Sequence, residues 1–415
     1  MSTIYFLYYT IYLNRCIINI LTKEGESLTK QLFLFLIGGI SALIIAMGIG
    51  RFAYTPLLPL MQNDRYFSNA VAGYIASSNY AGYLLGSILA GVIPMKHPRT
   101  TLLRLSLMIS ILTTVFMGLF HSYLLWSIFR FFSGIASAFV FVLASSIVLD
   151  KLASKDRANW SGFFYAGPGL GIFLTGITIP ILNNLFKWEG SWIGLGVLSS
   201  ILTVFVWRWL KDESVMHSSK IEHKNSLQTP PSKWLPWLFI AYGLEGLGYI
   251  VTGTFIVDIA QKIPSFSGNA TLVWIVVGLA AAPSCIIWSS VGKKYGFVKS
   301  LVIAMLIQAI GIAIPVFWMS KTGVIISALL FGATFMGITT LGTTLVRQVK
   351  PSGSGQIIGY FTAIYATGQM IGPTIAGVLS SFTHDYYFSL TGAAAVVLVG
   401  GCLLLSGIKF DKKAS

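Results

Sequence analysis

The chain has 415 residues, of which 55% are hydrophobic and only 10% charged, with a formal net charge of +15. A soluble domain carries about 25% charged residues, so this composition excludes soluble catalysis and points to an all-α integral membrane protein. Long unbroken apolar runs exclude a β-barrel, whose strands alternate over about 10 residues.

Residues 1–30 open with IYFLYYTIYL, about half the length of a span, interrupted by Asn14 and Arg15. They lack the basic start of a signal peptide and are expected to form a cytoplasmic or interfacial extension. Apolar segments then run at about 32–61, 69–94, 101–120, 122–149, 158–183 and 190–210, making an N-terminal half of residues 31–210. Residues 211–234, with Ser, His, Lys and a Pro-Pro pair, read as a cytoplasmic linker. Six more segments, at about 235–260, 270–292, 298–318, 322–349, 354–381 and 386–408, make a C-terminal half of residues 235–408. Residues 409–415 form a cytoplasmic tail. At about 20 apolar residues per span, the expectation is about twelve transmembrane helices in two six-helix halves.

The first segment holds the feature that most needs explaining. In GIGRFAYTPLLPLM, Arg51 follows two glycines and precedes Pro56 and Pro59. A charge at membrane depth costs at least ~2.5–3.5 kcal/mol, so it must snorkel, meet a helix dipole or face a polar cavity. A weaker copy lies in the second half: Gly48–Thr55 aligns with Gly246–Gly253 at an offset of 198. AGPGLG, with Gly167 and Pro168, likewise answers IGPTIAG, with Gly372 and Pro373, at an offset of 205. Two matches in register imply parallel repeats, an architecture in which substrate sits near the midplane between the halves. The two Gly-Pro pairs are expected to allow close packing and kinking.

With both termini in the cytoplasm, the outer loops carry only Arg65, Lys187, Lys262 and Lys321, while almost all other Lys and Arg fall on the inner side. That bias sets orientation, so the +15 charge is a topology signal and not a nucleic-acid surface. Cys16, Cys285 and Cys402 are odd in number and far apart, and no metal-ligand spacing, phosphate loop or HExxH motif occurs. No cofactor or metal is expected.

The ionisable residues inside segments are Arg51, Arg130 and Glu245, with Asp258 near the outer end of its helix. Glu245 lies ~15 Å into its segment, near the midplane, and Arg51 matches Tyr249, one turn outward of it. Burial favours a protonated carboxyl and a nearby arginine an ionised one, a competition suited to proton coupling; the bland alternative is an Arg–Glu clamp between the halves. Polar candidates at similar depth are Tyr54, Asn79, Tyr249 and Gln369, each also suited to joining helices.

RFFSGIASA, with Arg130 and Gly134, resembles the helix-4 motif of the major facilitator superfamily, and AGPGLG its helix-5 Gly-Pro motif. VGKKYGFVKS, with Gly292, Lys293, Lys294 and Gly296, is similar to its basic loop motif, although Lys293 stands where an Asp is usual. More narrowly, GIGRFAYTPLLPLM, SSNYAGYLLGSILAG, YGLEGLGYIVTGTFI, WIVVGLAAAPSCIIW and ATGQMIGPTIAG resemble its YbfB/YjiJ branch over residues 32–408. The resemblance implies a twelve-helix secondary transporter of the bacterial inner membrane, working as a monomer, with Arg51, Arg130 and Glu245 facing a central cavity. The resulting expectation is a small organic anion or polar metabolite held by Arg51 and Arg130 and moved with protons at Glu245. Efflux of an amphiphile is the alternative, and a transporter-like sensor the alternative of another class.

Overall fold

The computed structural model describes residues 29–92, 99–157, 160–212, 230–266, 268–350 and 354–411, and among them it is helical with no strand. In order, the helices are α1 (Thr29–Arg65), α2 (Asn69–Val92), α3 (Arg99–Leu119) and α4 (Tyr123–Ser154). A short turn, Ser161–Phe164, leads into the run Gly167–Trp209. Its 43 residues would reach ~65 Å as one rod, about twice the bilayer core. The run breaks at Lys187, where φ is 58° and ψ −171°, giving α5 (167–186) and α6 (188–209). Leu182 of α5 packs over Gly194 of α6, so the chain folds straight back. The second half contains α7 (Leu235–Gln261), α8 (Leu272–Tyr295), α9 (Phe297–Phe317), α10 (Lys321–Val349), α11 (Ser354–Thr383) and α12 (Tyr387–Leu403).

Among the described residues nine runs are long and apolar enough to cross a membrane, with Ser161–Trp209 counting as one. α2 and α11 fall outside that set because both are rich in Gly, Ser and Tyr. They pack against each other across the two halves, where small and polar side chains are tolerated better than they would be against lipid. The expected extension lies outside the described residues for 1–28, as do 213–229 of the expected linker and 412–415 of the expected tail.

Among the described residues the halves meet chiefly at three helix pairs. α2 meets α11 through Ala70 N–H donating to Ser381 Oγ (2.8 Å) and Thr374 Oγ1 donating to Ser77 Oγ (2.8 Å). α5 meets α8 through Trp274 Nε1, which donates to Thr175 Oγ1 at 3.2 Å. α1 meets α7 through Thr55 Oγ1 donating to the Gly253 carbonyl at 2.6 Å. Thr55 and Gly253 are equivalent positions of the internal repeat, 198 residues apart. Equivalent positions touch only beside the pseudo-symmetry axis, so α1 and α7 cross there. Most of these contacts lie toward the end of the bundle that carries loops 66–68 and 384–386. α10 touches the opposite half through Phe335, whose ring lies 6.2 Å from that of Phe52 on α1.

A third equivalence appears only in three dimensions. Asp212, just past α6, accepts from Arg99 Nε (2.9 Å) and Nη2 (2.7 Å) at the start of α3. Asp411, 199 residues later, accepts from the N–H groups of Val298 (3.1 Å) and Lys299 (2.7 Å) at the start of α9. Each half thus ties the end of its last helix to the start of its third. Exposed donors at a helix start favour an acidic cap, so Asp411→Ala should lower unfolding stability by about 1 kcal/mol without altering ligand binding. Denaturant titration in detergent beside a ligand melt measures both.

Candidate functional site

The site begins with a defect in α1. Residues Ile44–Ile49 form a π-helical segment, residues 50–53 are a turn, and α-helix resumes at Tyr54. Gly48 lies against Gly171 of α5 so tightly that a Cβ on either would sit within 2.5 Å of the other's backbone. Only glycine allows that approach. Pro56 and Pro59 remove two amide donors from the following turns, and Thr55 N–H turns to the Phe52 carbonyl at 3.2 Å. Pro56 has no N–H for the Phe52 carbonyl, so Thr55 N–H takes it and leaves the Arg51 carbonyl without a main-chain donor, and the turn at residues 50–53 leaves the Gly50 carbonyl open as well.

Arg130 of α4 closes that gap. Its Nη1 donates to the Gly50 carbonyl at 2.7 Å and its Nη2 to the Arg51 carbonyl at 2.8 Å. Ser133 Oγ adds a bond to Gly50 at 2.8 Å. The guanidinium lies 5.1 Å from the centre of the Tyr54 ring, while Tyr54 Oη donates to the Ala72 carbonyl at 3.1 Å. Asn79 Nδ2 donates to the Arg130 carbonyl at 2.9 Å. Arg130, Tyr54 and Asn79 thus form one group that braces α1, α2 and α4.

Arg51 projects from the same break toward the other half. Its Nη2 donates to Gln369 Oε1 on α11 at 2.6 Å, and Gln369 Nε2 donates to Tyr249 Oη on α7. Three rings surround the guanidinium, Tyr83 at 4.1 Å, Tyr80 at 4.9 Å and Phe52 at 5.3 Å from their centres. Such cation–π contacts contribute up to about 2 kcal/mol each when desolvated. Arg51 is only 3% exposed, and its Nε has no hydrogen-bond partner. Behind Tyr249 stands a wall of near-parallel rings: Tyr365, Phe331 and Phe335 lie 5.5–6.1 Å from it, and Tyr242 stacks on Tyr365 at 4.1 Å.

Glu245 is fully buried one turn back along α7, and its two carboxylate oxygens have no hydrogen-bond partner. It forms no ion pair among the described residues, so the Arg–Glu clamp is not present here. Instead, Gln308 of α9 and Tyr365 of α11 flank it without closing a bond onto it.

The Gly-Pro pairs serve different contacts. Gly167 and Pro168 start α5, with Gly167 against Leu43 of α1, whereas Gly372 presses on the Leu247 carbonyl of α7 and the Pro373 carbonyl approaches Gly73 of α2. Gly292, Lys293 and Lys294 end α8, and Gly296 takes φ 99° against Asp411. The sequence-expected residues accordingly fall into three groups, with Arg51, Tyr249 and Gln369 brought together across the halves. Tyr80, Tyr83, Tyr365 and Gln308 were not among the expected residues. Gln308, a lone amide in an apolar run, carries the same signal as Arg51 in weaker form.

A family model described as "Uncharacterised MFS-type transporter YbfB" matches residues 43–405. The "Uncharacterized MFS-type transporter YceJ" of Bacillus subtilis (strain 168) is 25% identical, over 86% of this chain and 92% of its own. Multidrug resistance protein 2 of the same organism is 20% identical, over 94% of this chain and 99% of its own. The crystal structure of the nucleoside transporter NupG is 15% identical with a TM-score of 0.67, covering 91% of this chain and 98% of that one.

Proposed function

The chain belongs to the YbfB family of MFS-type transporters, and on that footing we propose a proton-coupled carrier of a small organic anion. The observation that carries the reading is Arg51: a buried guanidinium at the junction of the halves, with no acidic partner among the described residues and one donor uncommitted. A planar fork of donors suits a carboxylate. Arg51 reaches the substrate directly, with Tyr249 and Gln369 beside it, and Arg130, Tyr54 and Asn79 hold the broken helix that presents it. Glu245 takes the coupling proton.

In this reading residues 31–210 and 235–408 rock about the site, joined by the cytoplasmic linker 211–234, in a monomer of the inner membrane. With both termini cytoplasmic, the closed end of the bundle, which carries loops 66–68 and 384–386, is the outer one. The Gly-Pro pairs and the basic loop of Gly292, Lys293, Lys294 and Gly296 act in the rocking motion.

Small carboxylates should raise the melting temperature of the purified protein, and Arg51→Ala should abolish that rise, measured against the variant's own unliganded melt. A panel of carboxylates and hydrophobic cations at two pH values measures it. Stabilisation by hydrophobic cations alone, retained in Arg51→Ala, would replace the anion reading with amphiphile efflux. The ring wall behind Tyr249 favours that second reading, as does the resemblance to a multidrug resistance protein.

A further inference from the structure

Glu245 of α7 and Gln308 of α9 are both fully buried, and all four of their side-chain polar atoms have no hydrogen-bond partner. Leaving one buried polar group unpaired costs about 1–3 kcal/mol, so four of them on facing helices call for a further participant. A proton is the smallest one that fits. A protonated Glu245 donates to Gln308 Oε1, and an ionised Glu245 accepts from Gln308 Nε2. An amide offers both a donor and an acceptor, so by turning over it serves both states of the carboxyl.

The surroundings favour a proton over a substrate group. The titratable groups beside Glu245 are Tyr242 and Tyr249 on its own helix and Tyr365 on α11. Among the described residues, α9, α10 and α12 direct no charged group at it. Among the described residues no cation pairs with the ionised form. The link to Arg51 is indirect: Tyr249 is bonded to Gln369, which accepts from Arg51, and Tyr365 stacks on Tyr249 while flanking Glu245.

We infer that Glu245 and Gln308 form a closed proton-binding site inside the C-terminal half, separate from the junction that holds Arg51. Tyr365 and the Tyr249–Gln369 bond connect the two. Gln308 is then a positioning residue for the proton carrier, and substrate never touches Glu245. This rests on the reading of Glu245 as the coupling group, and the experiment separates the two.

The infrared band of a protonated carboxyl is titrated against pH in the purified full-length protein and assigned to Glu245 by its loss in Glu245→Gln. Gln308→Met removes both amide atoms at nearly constant volume. Gln308→Asn keeps the amide but withdraws it by one methylene, which guards against a Met variant that fails to fold. Both are expected to change the proton affinity of Glu245 about tenfold or more, moving the midpoint by about one pH unit. An assigned band whose midpoint is unmoved in the folded variants overturns the role of Gln308 and leaves the coupling reading standing. Absence of any titrating Glu245 band overturns both.

Discussion

Arg130→Ala is expected to destabilise the folded protein by about 3–5 kcal/mol, the usual penalty for stripping one partner from a buried charged network. Two main-chain carbonyls at the break in α1, Gly50 and Arg51, lose their donors, and only Ser133 remains on Gly50. Arg130→Lys should recover less than half of the loss, because a single ammonium cannot reproduce a fork aimed at two carbonyls. Arg51→Lys should behave in the opposite way, with a small stability change and a large loss of carboxylate response. Arg51 bonds a neutral amide, Gln369, and is otherwise surrounded by the rings of Tyr80, Tyr83 and Phe52. Chemical unfolding in detergent, followed by tryptophan fluorescence, beside a ligand melt separates the two arginines. If Arg130→Ala unfolds like wild type but no longer responds to carboxylates, Arg130 is a ligand contact after all.

That contrast marks where sequence reading reached and where it stopped. The stretch Gly48–Met61 announces an arginine at membrane depth that needs a reason, and the structure supplies one as a break in α1. The stretch cannot announce what fills the break: the partner of the Arg51 carbonyl is 79 residues away on α4. Both arginines looked alike by depth, and only their partners separate them. The repeat offset of 198 was legible, and the structure gives it physical meaning through the Thr55–Gly253 contact on the axis. The α5–α6 hairpin was expected across residues 184–189, yet it turns at Lys187 alone, a position that no Gly, Pro or Asn marks. Gln308 is less legible, since a lone uncharged amide in the apolar run 298–318 has no repeat match or motif beside it to mark it. An amide with no partner in a dry interior poses a smaller version of the same problem.

Gly73→Leu should force the closed end of the bundle apart. A Cβ at Gly73 would lie 2.3 Å from the Pro373 carbonyl, and on the facing side one at Gly377 would lie 2.3 Å from the Asn69 carbonyl. The obstacle at each position is backbone, so no side chain can swing clear. Overpacking of this kind costs about 1–3 kcal/mol in the closed arrangement and nothing in one where α2 and α11 have separated. The population of the separated arrangement should therefore rise about tenfold or more. A cysteine at Ser77, which is 7% exposed and bonded to Thr374, reports the change. In a background with Cys16, Cys285 and Cys402 replaced by serine, a membrane-impermeant maleimide should label Ser77→Cys slowly, and much faster once Gly73→Leu is added. Gly91→Leu is the control, since a Cβ there meets none of the described residues within 4 Å. A folded Gly73→Leu protein that labels no faster than the control would mean that the α2–α11 contact does not govern closure.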